Sequence, residues 1–309
     1  MSMNKRDYLL PSALLCQNYR LLEKKPFFIA NKIDHLIQDN FYRSIEISNI
    51  SDKKERQQIS RALSTNKDGR LKNLIVWFTE FFTEHKIDIH DLDEGKRKKN
   101  VETIKKLIDE AAETGAHTVA FTGGSNVSVL ERSDAYKALI RTLGEVCDYA
   151  AKAKLEVFIE PCDCYADQQK LLGQAQDTQE VMQLLRKDHK NLSLVFDTAH
   201  VALNREPPFK TLEMLGPFLR HFHLSNAVLD FDSPLFGDNH IAPGEPGFLT
   251  AKRAEKLLSH AHKIGICANE GVTVAVEYMQ TAEHIDRPDR TFQIATDFLK
   301  QVQFEFVLS

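Results

Sequence analysis

The chain has 309 residues, enough for one large α/β barrel or two ordinary domains, and 42% of them are hydrophobic and 27% charged. Its 40 basic and 44 acidic side chains give a net charge of −4, which argues against a nucleic-acid or lipid-surface partner. Five scattered cysteines, and no apolar run long enough to span a membrane, predict a cytoplasmic protein with reduced thiols and no membrane partner.

Short runs of apolar or alternating residues predict eight β-strands along the chain. They lie at 12–19, 43–50, 73–79, 117–124, 155–161, 192–198, 220–226 and 272–279. Several of the intervals between them show the apolar spacing of amphipathic helices. The clearest of these helical segments are 101–116, 135–150 and 251–265.

Strand and helix patterns that alternate about every 39 residues predict parallel pairing with helical crossovers. Length and strand count together favour an α/β fold, a single (β/α)8 TIM barrel over residues 1–309. No Gly-x-Gly-x-x-Gly follows an early strand, so a dinucleotide-binding sheet is not favoured. The longest irregular stretches, near 80–97 and 227–249, both follow strands. In a barrel they would lie over the carboxyl-terminal mouth, where active-site loops belong.

Ionisable residues stand near the carboxyl ends of the last four predicted strands. Glu160 lies in the fifth, Asp197 in the sixth, His223 in the seventh and Glu277 in the eighth. Side-chain alternation places all four opposite the bulkier apolar residues, on the face that we expect to point into the barrel. Three buried carboxylates repel one another unless a cation pairs with them. This donor set suits Mn²⁺, Mg²⁺ or Co²⁺ and also admits Zn²⁺, so we predict one divalent metal ion.

Cys162 and Cys164 follow the fifth strand with a C-x-C spacing. A structural zinc site would need a second pair of cysteines at a similar spacing, which this sequence lacks. We therefore expect both thiols to be packing residues, as free cysteines usually are.

Several motifs in the second half of the chain resemble one known family. Glu-Pro at 160–161, Asp-x-x-His at 197–200, His223 in "HFHLSN" and Glu277 in "VAVEYM" are similar to the metal-dependent sugar isomerase/epimerase family with the xylose-isomerase-like barrel. The stretch "GDNHIAPGEPG" at 237–247 resembles the loop that follows strand seven in that family. The resemblance covers roughly residues 100–300, and before them only the strand–helix rhythm and "SIEIS" match.

The resemblance implies roles for individual residues. The metal ligands would be Glu160, Asp197, His223 and Glu277. Glu160 and Glu277 would also be the two acid/base carboxylates, which lie on opposite faces of the bound sugar. His200 matches a residue that contacts a substrate oxygen, and Asp238 and His240 of the following loop are further substrate-binding candidates. One position departs from several epimerases, which carry an arginine where this chain has Leu229.

The function that follows from the resemblance is a divalent-metal-dependent isomerase or epimerase. Its substrate would be a small sugar or sugar-like carbonyl compound, which loses a proton next to the carbonyl and passes through an enediolate. An alternative is a metal-dependent dehydratase, a lyase on a cyclic polyol ketone or a dehydroshikimate-like acid, because such relatives share the four ligands. A metal-binding barrel without catalysis is less favoured, since it needs no pair of proton-transfer carboxylates. The sequence leaves open whether the chain forms a homo-oligomer.

The same superfamily includes the apurinic endonucleases, which hold three zinc ions. Asp238-Asn239-His240 matches the spacing of an Asp-x-His pair in those enzymes. They also need histidines at the ends of strands three and four, where this chain has "WFTE" and "FTGGSN". An endonuclease is therefore disfavoured. A second metal bound by His200, Asp238 and His240 stays an open alternative.

Overall fold

Eight parallel strands close into a barrel in sequence order, with β1 paired to β8, in a computed structural model that describes residues 4–309. The strands are β1 Leu9–Leu14, β2 Ser44–Ser48, β3 Asn73–Trp77, β4 Thr118–Thr122, β5 Glu156–Glu160, β6 Leu192–Asp197, β7 Leu219–Ser225 and β8 Val272–Glu277. The predicted single TIM barrel is confirmed.

Twelve α-helices accompany the strands in the described part of the chain. They are α1 Lys5–Tyr8, α2 Leu15–Asn18, α3 Phe28–Asp39, α4 Lys53–Ser64, α5 Thr79–His85, α6 Glu94–Thr114, α7 Arg132–Lys152, α8 Ala175–Leu185, α9 Thr198–Leu203, α10 Pro208–Leu215, α11 Ala251–Lys263 and α12 Arg290–Leu308. Short 3₁₀ turns lie at Gly216–Phe218 and Ala282–His284. Among the described residues, no helix is both long and apolar enough to cross a bilayer.

The first strand was predicted wrongly at 12–19. Leu9 already pairs with Val272 of β8, and after Leu14 the chain turns into the short helix α2. The apolar residues beyond Leu14 are buried outside the sheet. The side chain of Asn18 donates to the carbonyl oxygen of Tyr278 at 2.8 Å, which holds α2 against the end of β8. Tertiary contacts therefore replace strand pairing for this part of the predicted run.

The long helix α6 begins earlier than the predicted residue 101. The side chain of Asp93 caps it by accepting from the backbone N–H of Lys96 at 3.0 Å. Arg97, only 2% exposed, donates to Glu94 and Glu145 at 2.7 and 2.8 Å. The Asp93 cap and the ion pairs of Arg97 therefore extend the helix through the charged residues that precede residue 101.

The strands bury two different faces. Outward-facing residues such as Val272, Val274 and Val276 join the main core under the helices. A smaller apolar cluster fills the barrel interior, and its members are Ile75, Trp77, Ala120, Phe158 and Val195. Phe158 and Val195 precede Glu160 and Asp197 by two residues, so alternation points those carboxylates into the barrel above this cluster. The predicted inward face of β5 and β6 is confirmed.

The loop between β7 and α11 folds back over the barrel mouth. The side-chain amide of Asn226 donates to the carbonyl oxygens of Ala242 and Gly244 at 2.7 and 2.8 Å, and its oxygen accepts from the N–H of Leu249 at 2.7 Å. A Cβ at Gly247 would lie 2.3 Å from this amide, so only glycine fits there. These bonds hold the segment that carries Asp238 and His240 over the barrel.

Candidate metal centre and substrate cleft

The four side chains predicted as metal ligands meet at the carboxyl ends of β5 to β8. Glu160, Asp197, His223 and Glu277 each offer one ligand atom, and these atoms all lie within 4.8 Å of one another. All four residues are buried, with exposures between 2% and 6%. Strand register explains the convergence, because Asp197 lies opposite His223 and Glu277 opposite Ser225. The structure brings the predicted set together, and their role as ligands stays a prediction.

The two ring nitrogens of His223 face different partners. Nδ1 lies 2.9 Å from Glu160 Oε1 and 3.0 Å from Glu277 Oε2, whereas Nε2 lies 3.1 Å from Glu46 Oε2. With the hydrogen of Nε2 donated to Glu46, Nδ1 is the nitrogen that would bind an ion held between the two glutamates. Metal-binding histidines are commonly oriented in this way by a carboxylate on the other nitrogen.

Glu46 is a residue behind the predicted ligand His223 that the sequence analysis did not single out. It lies in β2, is fully buried, and accepts hydrogen bonds from Ser12 Oγ at 2.7 Å and Trp77 Nε1 at 2.9 Å. His221 Nε2 lies 3.1 Å from its other side. Despite burial, His221 and His223 hold the pKa of Glu46 well below its ordinary value. The only signal in the sequence is a glutamate between two isoleucines in "SIEIS".

The site favours positive charge at its centre. Burial raises the pKa of Asp197 well above its ordinary value, and Glu277 and Glu160 add to this effect. Burial lowers the pKa of His223, but the carboxylates of Glu277, Glu160 and Glu46 outweigh it and raise that pKa. Asp197 Oδ1 caps α9 by accepting from the N–H of His200 at 2.8 Å, while Oδ2 has no hydrogen-bond partner. An orphaned buried oxygen is costly unless a cation or donor meets it, so these residues fit a divalent ion.

The three predicted substrate-binding residues gather beside this centre. His240 Nε2 lies 3.4 Å and His200 Nε2 3.8 Å from Asp238 Oδ2. His240 Nδ1 lies 3.3 Å from Glu277 Oε1, which joins this group to the four predicted ligands. The side chain of Gln168 donates to Asp238 Oδ2 at 3.1 Å. The structure therefore places the predicted residues together, and their contact with a substrate remains a prediction.

A cleft of about 230 Å³ opens over the four predicted metal ligands. Its wall includes Trp77, whose ring centroid lies 5.2 Å from that of His223. Among the described residues, Arg20 is the one lysine or arginine that lines this cleft. Leu229, which stands where several epimerases carry arginine, is 43% exposed and does not line it. The one guanidinium group at this cleft therefore comes from the segment that follows α2.

Comparisons with known proteins agree with this architecture. A model of the xylose isomerase-like TIM barrel family matches residues 39–302. Fructoselysine 3-epimerase of Escherichia coli O157:H7 is 24% identical over 182 residues, which are 59% of this chain and 62% of that relative. The chain thus spans less than two thirds of the length of this curated relative.

Solved structures share the fold at lower identity. A D-tagatose 3-epimerase-like protein superposes with a TM-score of 0.68 at 18% identity, over 96% of this chain and 99% of the other. The IOLI protein with a bound zinc atom superposes with a TM-score of 0.70 at 14% identity, again over 96% and 99%. At these identities the likeness concerns the fold.

Proposed function

This chain belongs to the xylose isomerase-like TIM barrel family, and from that premise we propose that it is a divalent-metal-dependent isomerase or epimerase of a small sugar or sugar-like carbonyl compound. One observation carries the proposal. Two buried glutamates, Glu160 and Glu277, lie 2.9 and 3.0 Å from the same imidazole nitrogen, under a cleft that opens at the barrel mouth. The curated epimerase relative supports the same class of reaction.

The metal would be held by Glu160, Asp197, His223 and Glu277. When bound, a divalent ion supplies Lewis-acid stabilisation of the negative charge that develops on substrate oxygens. Among the protein's own residues, Glu46 binds Nε2 of His223 and so keeps the Nδ1 lone pair directed at the predicted metal site. Burial keeps bulk water from this group of side chains, so each electrostatic contact is stronger than it would be in solvent.

Proton transfer is the task of the two glutamates. One carboxylate removes the proton from the carbon next to the substrate carbonyl, and the other returns a proton to the resulting enediolate. Burial raises the pKa of Glu277, but His240 and His223 outweigh it and lower that pKa to about 2. Glu277 is therefore ionised at neutral pH.

The remaining polar groups of the cleft would orient the substrate. His200, Asp238 and His240 form a row of donors and acceptors beside Glu277, suited to the hydroxyl groups of a sugar. The cleft of about 230 Å³ is smaller than the roughly 300–1,000 Å³ typical of sites for drug-sized ligands. The size and polarity of the cleft support a small, carbohydrate-like substrate.

Deuterium exchange from solvent tests the proposal. The purified chain with Mn²⁺ would be incubated in deuterated water with a panel of ketoses, inosose-like ketones and dehydroshikimate. Deuterium uptake next to the carbonyl without loss of water is the expected result. Loss of water would instead assign the dehydratase alternative. Binding of Mn²⁺ without exchange on any compound would refute an enzyme of this class.

Variants of the two glutamates assign the chemistry to residues. Glu160→Gln and Glu277→Gln should each lower exchange by at least about 100-fold, since general acid–base groups typically contribute 10²–10⁴-fold. Glu156→Gln is the matched control, because Glu156 lies exposed at the opposite end of the same strand as Glu160. Wild-type exchange by either cleft variant would remove that residue from its proposed role.

A further inference from the structure

A buried thiol lies beside the predicted metal centre. Cys162 follows Glu160 by two residues, is 1% exposed and lines the cleft. One donor atom each from Glu160, Cys162 and His200 lie within 4.8 Å of one another. This second group shares Glu160 with the four predicted ligands, and the expectation that Cys162 only fills space does not explain its position.

The imidazole of His200 is held in one orientation. Its Nδ1 lies 3.4 Å from Asp163 Oδ2, and that carboxylate accepts the backbone N–H groups of residues 166, 167 and 168 at 2.6 to 3.1 Å. With Nδ1 turned toward Asp163, Nε2 faces the cleft. A fixed carboxylate behind an imidazole is the arrangement that commonly orients histidine toward a metal ion.

An unpartnered atom points to a missing ligand in this group. Asp238 is 6% exposed, yet its Oδ1 has no hydrogen-bond partner. The other oxygen of Asp238 lies 3.8 Å from His200 Nε2. Buried polar atoms are nearly always satisfied in folded proteins, so a charged or donating ligand is expected between these residues.

We propose that Glu160, Cys162 and His200, with Asp238 beside them, bind a second divalent ion, and that the sulfur makes this site selective for Zn²⁺ or Co²⁺ over Mg²⁺ or Mn²⁺. Thiolate is a soft ligand that favours zinc, and a sulfur, an imidazole and carboxylate oxygens suit its four-coordinate geometry. On binding, the Cys162 S–H bond breaks, an S–metal bond forms, and the proton passes to solvent. The proposal rests on the proposed function, because Glu160 belongs to both sites.

The position of the thiol agrees with metal binding. The S–H group of Cys162 lies 3.6 Å from the carbonyl oxygen of Glu160, at the strand end that carries the shared carboxylate. Because Glu160 and His200 are also assigned to proton transfer and substrate binding, an ion in the second site would compete with substrate.

Cobalt titration of the metal-free, full-length protein tests the site. Co²⁺ bound to thiolate gives a sulfur-to-cobalt charge-transfer band in the near ultraviolet, which oxygen and nitrogen ligands do not produce. We expect two equivalents of Co²⁺ per chain, with the band developing on the sulfur-containing site. Cys162→Ser should lose the band and one equivalent, whereas Cys164→Ser, a change at a similarly buried cysteine outside the group, should keep both. Cys162→Ala removes the same sulfur without burying a hydroxyl group, so the same loss in both variants separates loss of the ligand from a folding defect in the serine variant.

The outcomes separate this inference from the proposed function. Asp197→Asn keeps an oxygen that can accept from the N–H of His200 and changes a ligand of the first site, so it should remove the equivalent that gives no sulfur band. A single equivalent in the wild type that is lost in Asp197→Asn, with no sulfur band, would refute the second site and leave the proposed function intact. A band that persists in both Cys162 variants would also refute it. No bound cobalt at all would overturn both proposals.

Discussion

Replacing Glu46 with glutamine tests how the predicted metal ligand His223 is oriented. The Glu46 carboxylate accepts from Ser12 and Trp77 and lies 3.1 Å from Nε2 of both His221 and His223. Glutamine keeps the shape but has one accepting oxygen and no charge, so Nε2 of His223 loses its carboxylate partner. Loss of such a partner typically lowers metal affinity 10–100-fold, which is about 1.4–2.7 kcal/mol.

The measurement is the affinity for Mn²⁺, obtained by calorimetry or by competition with a chelator. Glu255→Gln is the control, since Glu255 is also a buried, hydrogen-bonded carboxylate but lies on α11 with Lys252 and Ser259 as its partners. Thermal unfolding of both variants confirms that they are folded. Unchanged Mn²⁺ affinity in folded Glu46→Gln, or an equal loss in Glu255→Gln, would refute the orienting role.

Two further predictions concern stability. A Cβ at Gly173 would lie 1.9 Å from the carbonyl oxygen of Cys162, so Gly173→Ala should cost about 1–3 kcal/mol in denaturant unfolding. Gly144→Ala in α7, whose Cβ meets the His189 side chain at 3.3 Å, should be neutral or stabilising, and equal losses would contradict the steric argument. Burial, with help from Glu80, raises the pKa of Glu23 from 4.5 to about 8, so the folded state holds a proton in that window that the unfolded state has released. The free energy of unfolding should therefore fall as pH rises from 4.5 to 8, by up to roughly 1.4 kcal/mol per pKa unit, and Glu23→Gln should lack this decrease. The same dependence of unfolding free energy on pH in both proteins would refute the argument.

Local patterns predicted the barrel because each strand–helix unit is encoded over a short stretch of sequence. Seven strands lie within one or two residues of their predicted ends, as with 192–198 against Leu192–Asp197. The prediction of the first strand was wrong because apolar residues give the same sequence pattern whether they pair in a sheet or pack beside it. In the folded chain Leu9–Ser12 pair with β8, and Asn18 contacts Tyr278 from outside the sheet.

The sequence by itself determined that Glu160, Asp197, His223 and Glu277 would share one end of the molecule. Parallel strands carry their carboxyl ends to the same edge, and two-residue alternation sets the face on which each side chain lies. Only the tertiary structure decided that Glu46 supports His223, a residue 177 positions away. It also decided that Cys162 has an imidazole for a neighbour. Such contacts depend on distances across the barrel, which no local pattern of residues contains.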